Sequence, residues 1–280
     1  MVTLVPELIR EIIEIAVGTD LGYAAKFALV SRDFYEWAHP ILCRTLMYYA
    51  TSETKHWPVP LHELPQWLEL NGKHVRSMMW GIDTTNLPSL LEQCPGLTNL
   101  ALWVNTSSND ITTLLPILST LHLSRLSIDL WELFDRKSFS ELEARHAAFR
   151  AVTHLDVVHR ITEWEDLQGI TALPCLTHLC FPRRTMDSPY SSVIRSALEE
   201  CKHLKVLAIA SGSSFPSGNP IRVAQTNFVL DGDPRLVAFD CEYVGDWECG
   251  AIGKKDIWAL ADEIVEQRFK DIESPRSVPG

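Results

Sequence analysis

The stretch CPGLTNLALW, residues 94–103, places apolar side chains at Leu97, Leu100 and Leu102. The spacing is L-x-x-L-x-L, and a single such hexamer arises in any amphipathic segment. Here it recurs, in HLSRLSI (122–128), AVTHLDV (151–157), CLTHLCF (175–181), HLKVLAI (203–209) and RLVAFDC (235–241), with a weaker copy in VRSMMW (75–80). The first apolar positions are 75, 97, 123, 152, 176, 204 and 236. They are separated by 22, 26, 29, 24, 28 and 32 residues, a regularity that single amphipathic segments do not produce.

Between these hexamers lie helix-compatible runs, LPSLLEQC (87–94), NDITTLLPILSTL (109–121), SFSELEARHAAFR (138–150) and PYSSVIRSALEEC (189–201). The unit is therefore helix, connection, short strand, at a mean period of about 27 residues, inside the range of leucine-rich repeats. A strand with one apolar face cannot be covered by its own helix alone, whereas stacked units share a continuous core. The expected fold class is α/β, a leucine-rich-repeat solenoid with parallel strands on the concave face and helices on the convex face. Segment DIWALADEIVEQRF (256–269) is amphipathic and suits a C-terminal cap over the last repeat.

Composition limits the partners. The formal net charge is −11 and no Lys/Arg run exceeds two residues, which disfavours nucleic acid and anionic membranes. The seven cysteines, at 43, 94, 175, 180, 201, 241 and 249, form no C-x-x-C pair. That pattern suits a reducing compartment, cytoplasmic or nuclear, better than a disulfide framework. No uncharged apolar run reaches the length of a membrane span.

The opening run LVPELIREIIEIAV (4–17) has apolar residues over roughly 160° of a helical wheel, wider than the ~100° stripe that one core requires. The surplus face is available to a second element or to another protein. Residues 4–46 resemble the F-box, in the form common in mushroom-forming fungi. The matching positions are Leu4, Glu7, Leu8, Ile12, Leu29, Val30, Arg32, Phe34, Trp37, Pro40, Ile41, Leu42 and Arg44. Three positions depart from the family pattern, each by an apolar exchange: Val5 for Pro, Phe34 for Trp and Leu42 for an aromatic residue. The resemblance implies an all-α module that docks on the Skp adaptor, and through it on a cullin scaffold, by Leu4, Pro6, Ile9, Ile12, Val30 and Phe34. The other reading is that these helices only cap the repeat array.

The expected organisation is an F-box-like module (1–46), a connecting segment (47–74), a repeat array of about seven units (75–255), a capping helix (256–273) and a loose tail (274–280). No H-E-x-x-H, G-x-S-x-G or Walker motif occurs, so neither an enzyme nor a cofactor is indicated. The Gly/Ser-rich stretch 211–220 lacks the lysine of a phosphate loop. Strand alternation turns Met79, Trp103, Arg125, Asp129, His154, Asp156, His178, Asp240 and Glu242 toward the concave face, as candidates for binding a protein substrate. In repeat alignment His154, Asp156, His178 and Cys180 form a square patch of metal-ligand residue types, read here as a hydrogen-bonding surface, with no metal assigned. Trp103 is either an apolar anchor for a ligand or a cover over its neighbouring strand. Together these features lead to a non-catalytic substrate receptor of a ubiquitin ligase, or to a stand-alone interaction scaffold.

Overall fold

The computed structural model describes residues 5–17, 20–49, 59–82, 86–103, 114–134, 139–158, 161, 163–182, 188–212, 221–223 and 232–273. Leu4, residues 213–220 of the Gly/Ser-rich stretch and the 274–280 tail lie outside them. The chain forms two compact units, residues 1–123 with 248–254, and residues 124–247 with 255–280.

The first unit opens with three helices, α1 (Pro6–Val17), α2 (Leu21–Ala28) and α3 (Arg32–Leu42). The starts of α2 and α3 are set by side-chain caps. Asp20 Oδ1 accepts from Gly22 N at 2.8 Å, and Ser31 Oγ accepts from Phe34 N at 3.2 Å. Ile13, Val17, Ala24 and Ile41 are buried together, with Ile9, Leu21, Phe27, Phe34, Trp37 and Leu42 packed around them. Pro40 lacks the N–H that would continue the helical ladder, and α3 stops two residues later.

The chain then enters β1 (Thr45–Tyr49), so the sheet begins before residue 75 and the boundary suggested at 46 falls inside a strand. It continues through α4 (Leu64–Asn71), β2 (Ser77–Gly81), α5 (Leu87–Glu92), β3 (Asn99–Leu102) and α6 (Leu114–Leu118). Strands β1, β2 and β3 are parallel, with Leu46 opposite Met78 and Met78 opposite Leu100. One face carries Leu46, Met78, Trp80, Leu100 and Leu102 into the core; Ser77, Met79, Asn99 and Ala101 on the other face are buried as well. Burial on both faces is usual in parallel sheets.

The second unit holds β4 (Arg125–Ile128), α7 (Leu130–Leu133), α8 (Glu141–Ala144), β5 (His154–Val157), β6 (His178–Pro182), α9 (Ser188–Glu200), β7 (Val206–Gly212), β8 (Ile221–Val223), β9 (Leu236–Cys241), the start of α10 (Tyr243–Ala251), and α11 (Ile257–Glu273). The strand order is β4-β5-β6-β7-β9-β8; all are parallel except β8, which runs antiparallel to β9. With the three strands of the first unit, the described residues make an α/β protein with eight parallel strands. The connections before β5 and β6 are shorter than a full helix. The first is α8 and a 3-10 turn (Ala147–Phe149), and the second a 3-10 segment (Glu165–Ala172). Gly169 in that segment passes so close to the Ser140 carbonyl that a Cβ would lie 2.2 Å from its oxygen.

Two expectations are corrected in this unit. Helix α11 does not close the end of the last repeat. It lies on the sheet face, where Ile257, Trp258, Ala261 and Val265 join Cys180, Val206, Ala208, Ala210, Val237, Phe239 and Cys241 in one buried cluster. The strand face taken as an open concave surface is therefore filled by the chain's own helix. The frame of β9 is also shifted by three residues from the repeat alignment, which sets Leu207 opposite Phe239. Leu207 pairs with Leu236 and Ile209 with Ala238, so Val237, Phe239 and Cys241 face α11, while Ala238 and Asp240 share the face of Leu207 and Ile209. A slip by an odd number of residues exchanges the two faces of a strand.

Candidate functional site

Helix α1 carries two apolar faces. Ile9, Ile13 and Val17 pack into the three-helix cluster. About a third of a turn away, Leu8, Ile12 and Ile15 fall on one stripe and are 46, 53 and 75% exposed. At the α2–α3 turn Leu29 and Val30 are 88 and 65% exposed. Exposed apolar residues are ordinary singly, whereas several on one short helix mark a contact surface. Of the residues implied as adaptor contacts, Ile12 and Val30 are exposed, while Ile9 and Phe34 belong to the packing inside the module. Pro6 begins α1. Leu8, Ile15 and Leu29 were not among the adaptor contacts that the resemblance implies; Leu8 and Ile15 differ from Ile9 and Ile13 only in which side of the wide apolar arc they occupy.

The strand-face candidates are brought together by the sheet and then covered. Register pairs His154 with His178 and Asp156 with Cys180, the square expected from the repeat alignment. The two imidazoles stack with centroids 4.0 Å apart and planes 9° from parallel. Trp258 of α11 stands edge-on over both, at 5.3 and 5.8 Å. Thr153 Oγ1 and Thr177 Oγ1 each lie 2.8 Å from the Nδ1 of the following histidine. His178 Nε2 is 3.0 Å from Asp262 Oδ1, also on α11. Arg125 Nη1 donates to Asp256 Oδ2 at 2.8 Å, and Asp256 Oδ1 accepts from Ala259 N at 2.9 Å, capping α11. Asp246 Oδ1 accepts from Ile257 N at 2.9 Å. Ser127 Oγ donates to Asp156 Oδ2 at 2.6 Å.

Burial dominates the electrostatics of this layer. It pushes His154 down to about 3, with the neighbouring His178 and Arg125 adding to the effect. It raises the Asp156 carboxyl to about 6, against the opposing hydrogen bonds from Ser127 and Cys180. Asp246 is raised to about 8, first by burial and then by the charge of Asp256. Burial also lifts the Cys180 and Cys241 thiols, so neither is poised as a nucleophile.

The remaining candidates have local structural roles. Met79 is fully buried and offers no surface. Trp103, just after β3, stands edge to face with Tyr49 of β1 at 5.9 Å. Asp129 Oδ1 accepts from Trp131 N at the start of α7. Asp240 lies opposite Arg222 of β8, and Glu242 caps α10 by accepting from Gly245 N at 2.7 Å. Among the described residues no three His, Cys, Asp or Glu side chains are grouped to hold a metal ion, and no helix is long and apolar enough to cross a membrane. Comparison with family models, with curated proteins and with solved structures gives no match to this chain.

Proposed function

We propose that the chain is a non-catalytic substrate-recognition subunit of a Skp-cullin-F-box type ubiquitin ligase, working in the cytoplasm or nucleus. Its N-terminal helices serve as the F-box-like module and its strand–helix units as an irregular leucine-rich-repeat array. The observation that carries this reading is the second apolar face of α1, Leu8, Ile12 and Ile15, turned away from the side that fills the module. Burying such side chains against a partner is favourable by roughly 1.5–3 kcal/mol each when they begin fully exposed, and by about half of that here. Catalysis then requires no reacting group in this chain, because a bound substrate lysine is held near a charged ubiquitin carrier.

The substrate half of the proposal narrows. His154 and His178 are occupied by α11 and Asp156 by Ser127, so the receptor reading does not assign substrate contacts to them. The test is co-expression with a Skp adaptor, affinity capture and size-exclusion chromatography. A one-to-one complex, abolished by Ile12→Glu with Val30→Glu while the chain stays folded, is the expected result. Substituting Ile9 would confuse the outcome, since it packs inside the module. A monodisperse chain that captures no adaptor makes it a free-standing interaction scaffold with a helical cap.

A further inference from the structure

The chain is acidic overall, yet one corner of the first unit collects basic side chains. His39 lies in the last turn of α3; Lys73 and His74 belong to the 3-10 turn Gly72–His74 that follows α4, and Arg76 directly precedes β2. The His39 and His74 rings meet edge to face with centroids 6.1 Å apart, and Tyr35 leans on His39 at 4.9 Å. Behind His39 is a thiol. Cys43 Sγ is 3.5 Å from its Nε2, and burial pushes that thiol up to about 11, so it stays uncharged. Among the described residues Lys73, His74 and Arg76 have no carboxylate partner.

These cations are held by backbone packing. The Gly72 backbone passes so close to Gln93 that a Cβ would lie 2.1 Å from the Gln93 carbonyl oxygen, which fixes the turn that presents Lys73 and His74. The Arg76 guanidinium lies across Gly96, where Nη1 donates to the Gly96 carbonyl at 2.9 Å and a Cβ would sit 1.5 Å from Nη1. Burial and then Lys73 lower the pKa of His39; burial, then Lys73, His39 and Arg76, lower that of His74. The charged neighbours behind both shifts are basic groups. A site already organised this way loses little conformational freedom when an anion arrives.

We propose that Lys73, His74 and Arg76, backed by His39, bind a multiply charged oxyanion on an acidic peptide, either a run of carboxylates or a phosphorylated side chain. The cations supply charge-assisted hydrogen bonds, and the anion draws protons onto both imidazoles. The site is independent of the receptor reading.

The test follows the imidazole C2–H resonances of the full chain by NMR, assigned with His39→Gln and His74→Gln, as tetraglutamate or inorganic phosphate is added. Saturation is expected to raise the titration midpoints of both histidines by about one pH unit. Tetraglutamate alone producing the rise identifies a carboxylate run; phosphate alone identifies a phosphorylated side chain. Lys73→Gln with Arg76→Gln is expected to weaken binding by about tenfold or more, while Lys270→Gln leaves it unchanged. Arg76→Lys, which keeps the charge, retains binding if the Gln variant fails to fold. Midpoints unmoved by either probe at millimolar concentration overturn the proposal, as does undiminished binding by the Lys73/Arg76 variant.

Discussion

Replacing Asp256 by Ala removes two interactions held by one side chain that is 4% exposed. Its Oδ1 caps α11 through Ala259 N, and its Oδ2 receives Arg125. Loss of a cap costs about 1 kcal/mol. Breaking a buried ion pair costs about 3–5 kcal/mol, but the Arg125 side chain is one-third exposed and can be rehydrated, so about 2 kcal/mol is the better figure here. The expected total is about 3 kcal/mol. Asp256→Asn keeps an acceptor for the cap and should cost less, about 1.5–2 kcal/mol. Urea unfolding followed by tryptophan fluorescence is the assay, because Trp258 stands two residues from the substitution under the same helix. In a double-mutant cycle with Arg125→Met, a coupling of about 1–2 kcal/mol is expected. Additive single mutants, or an Asp256→Ala penalty below about 1 kcal/mol, would refute the view that this pair anchors the start of α11.

Other perturbations separate the remaining claims. Asp246, raised to about 8, keeps in the folded chain a proton that the unfolded carboxyl near 3.8 has released. Its contribution is complete below the unfolded value and lost as pH rises through 8; stability should fall by up to about 1.4 kcal/mol per pH unit between about pH 4 and pH 8, levelling off above that, a slope that Asp246→Asn removes in thermal melts. Asp156 acts with the same sign as pH rises through about 6. His154 acts oppositely: its contribution is present above 6.5 and lost as pH falls toward 3, so His154→Gln should lessen acid sensitivity in the same melts. Gly169→Ala drives a Cβ into the Ser140 carbonyl and should cost about 2–3 kcal/mol in urea unfolding. Gly232→Ala has open space but a φ of +69°, and should cost about 1 kcal/mol. Ile13→Glu should unfold the three-helix cluster, whereas Ile12→Glu should change stability by less than about 0.5 kcal/mol by circular dichroism.

The neighbours within the sheet were legible from the repeat period. Aligning L-x-x-L-x-L frames put His154 beside His178 and Asp156 beside Cys180, and backbone register agrees because strands one repeat apart pair in phase. The position of α11 was not legible. Its amphipathic pattern specifies that one face is buried, but not on which surface, and polar strand residues such as Arg125 and His178 read as solvent-facing until a helix supplies Asp256 and Asp262. The slip in RLVAFDC has a related cause. With both sides of β9 buried, Leu236 and Ala238 on one side and Val237 and Phe239 on the other are all apolar, and the alternation that sets a frame disappears. On α1 the excess width of the apolar arc was visible in sequence, while the division between packed Ile9 and exposed Ile12 needed the positions of α2 and α3.

Helix α11 runs crosswise over the parallel strands and touches them in turn. Asp256 meets Arg125 of β4, Trp258 meets His154 and His178 of β5 and β6, and Arg268 donates to the Leu236 carbonyl of β9. From Asp256 to Arg268 an α-helix rises about 18 Å. From β4 across β5, β6 and β7 to β9 the spacing is about 19 Å. The helix thus acts as a ruler whose pitch matches the sheet, about three residues to each strand. Duplicating or deleting one strand–helix unit would throw every later contact out of step unless α11 changed by nearly one turn as well. Unlike an open array, this one has its length written twice, once in strands and once in the helix laid across them.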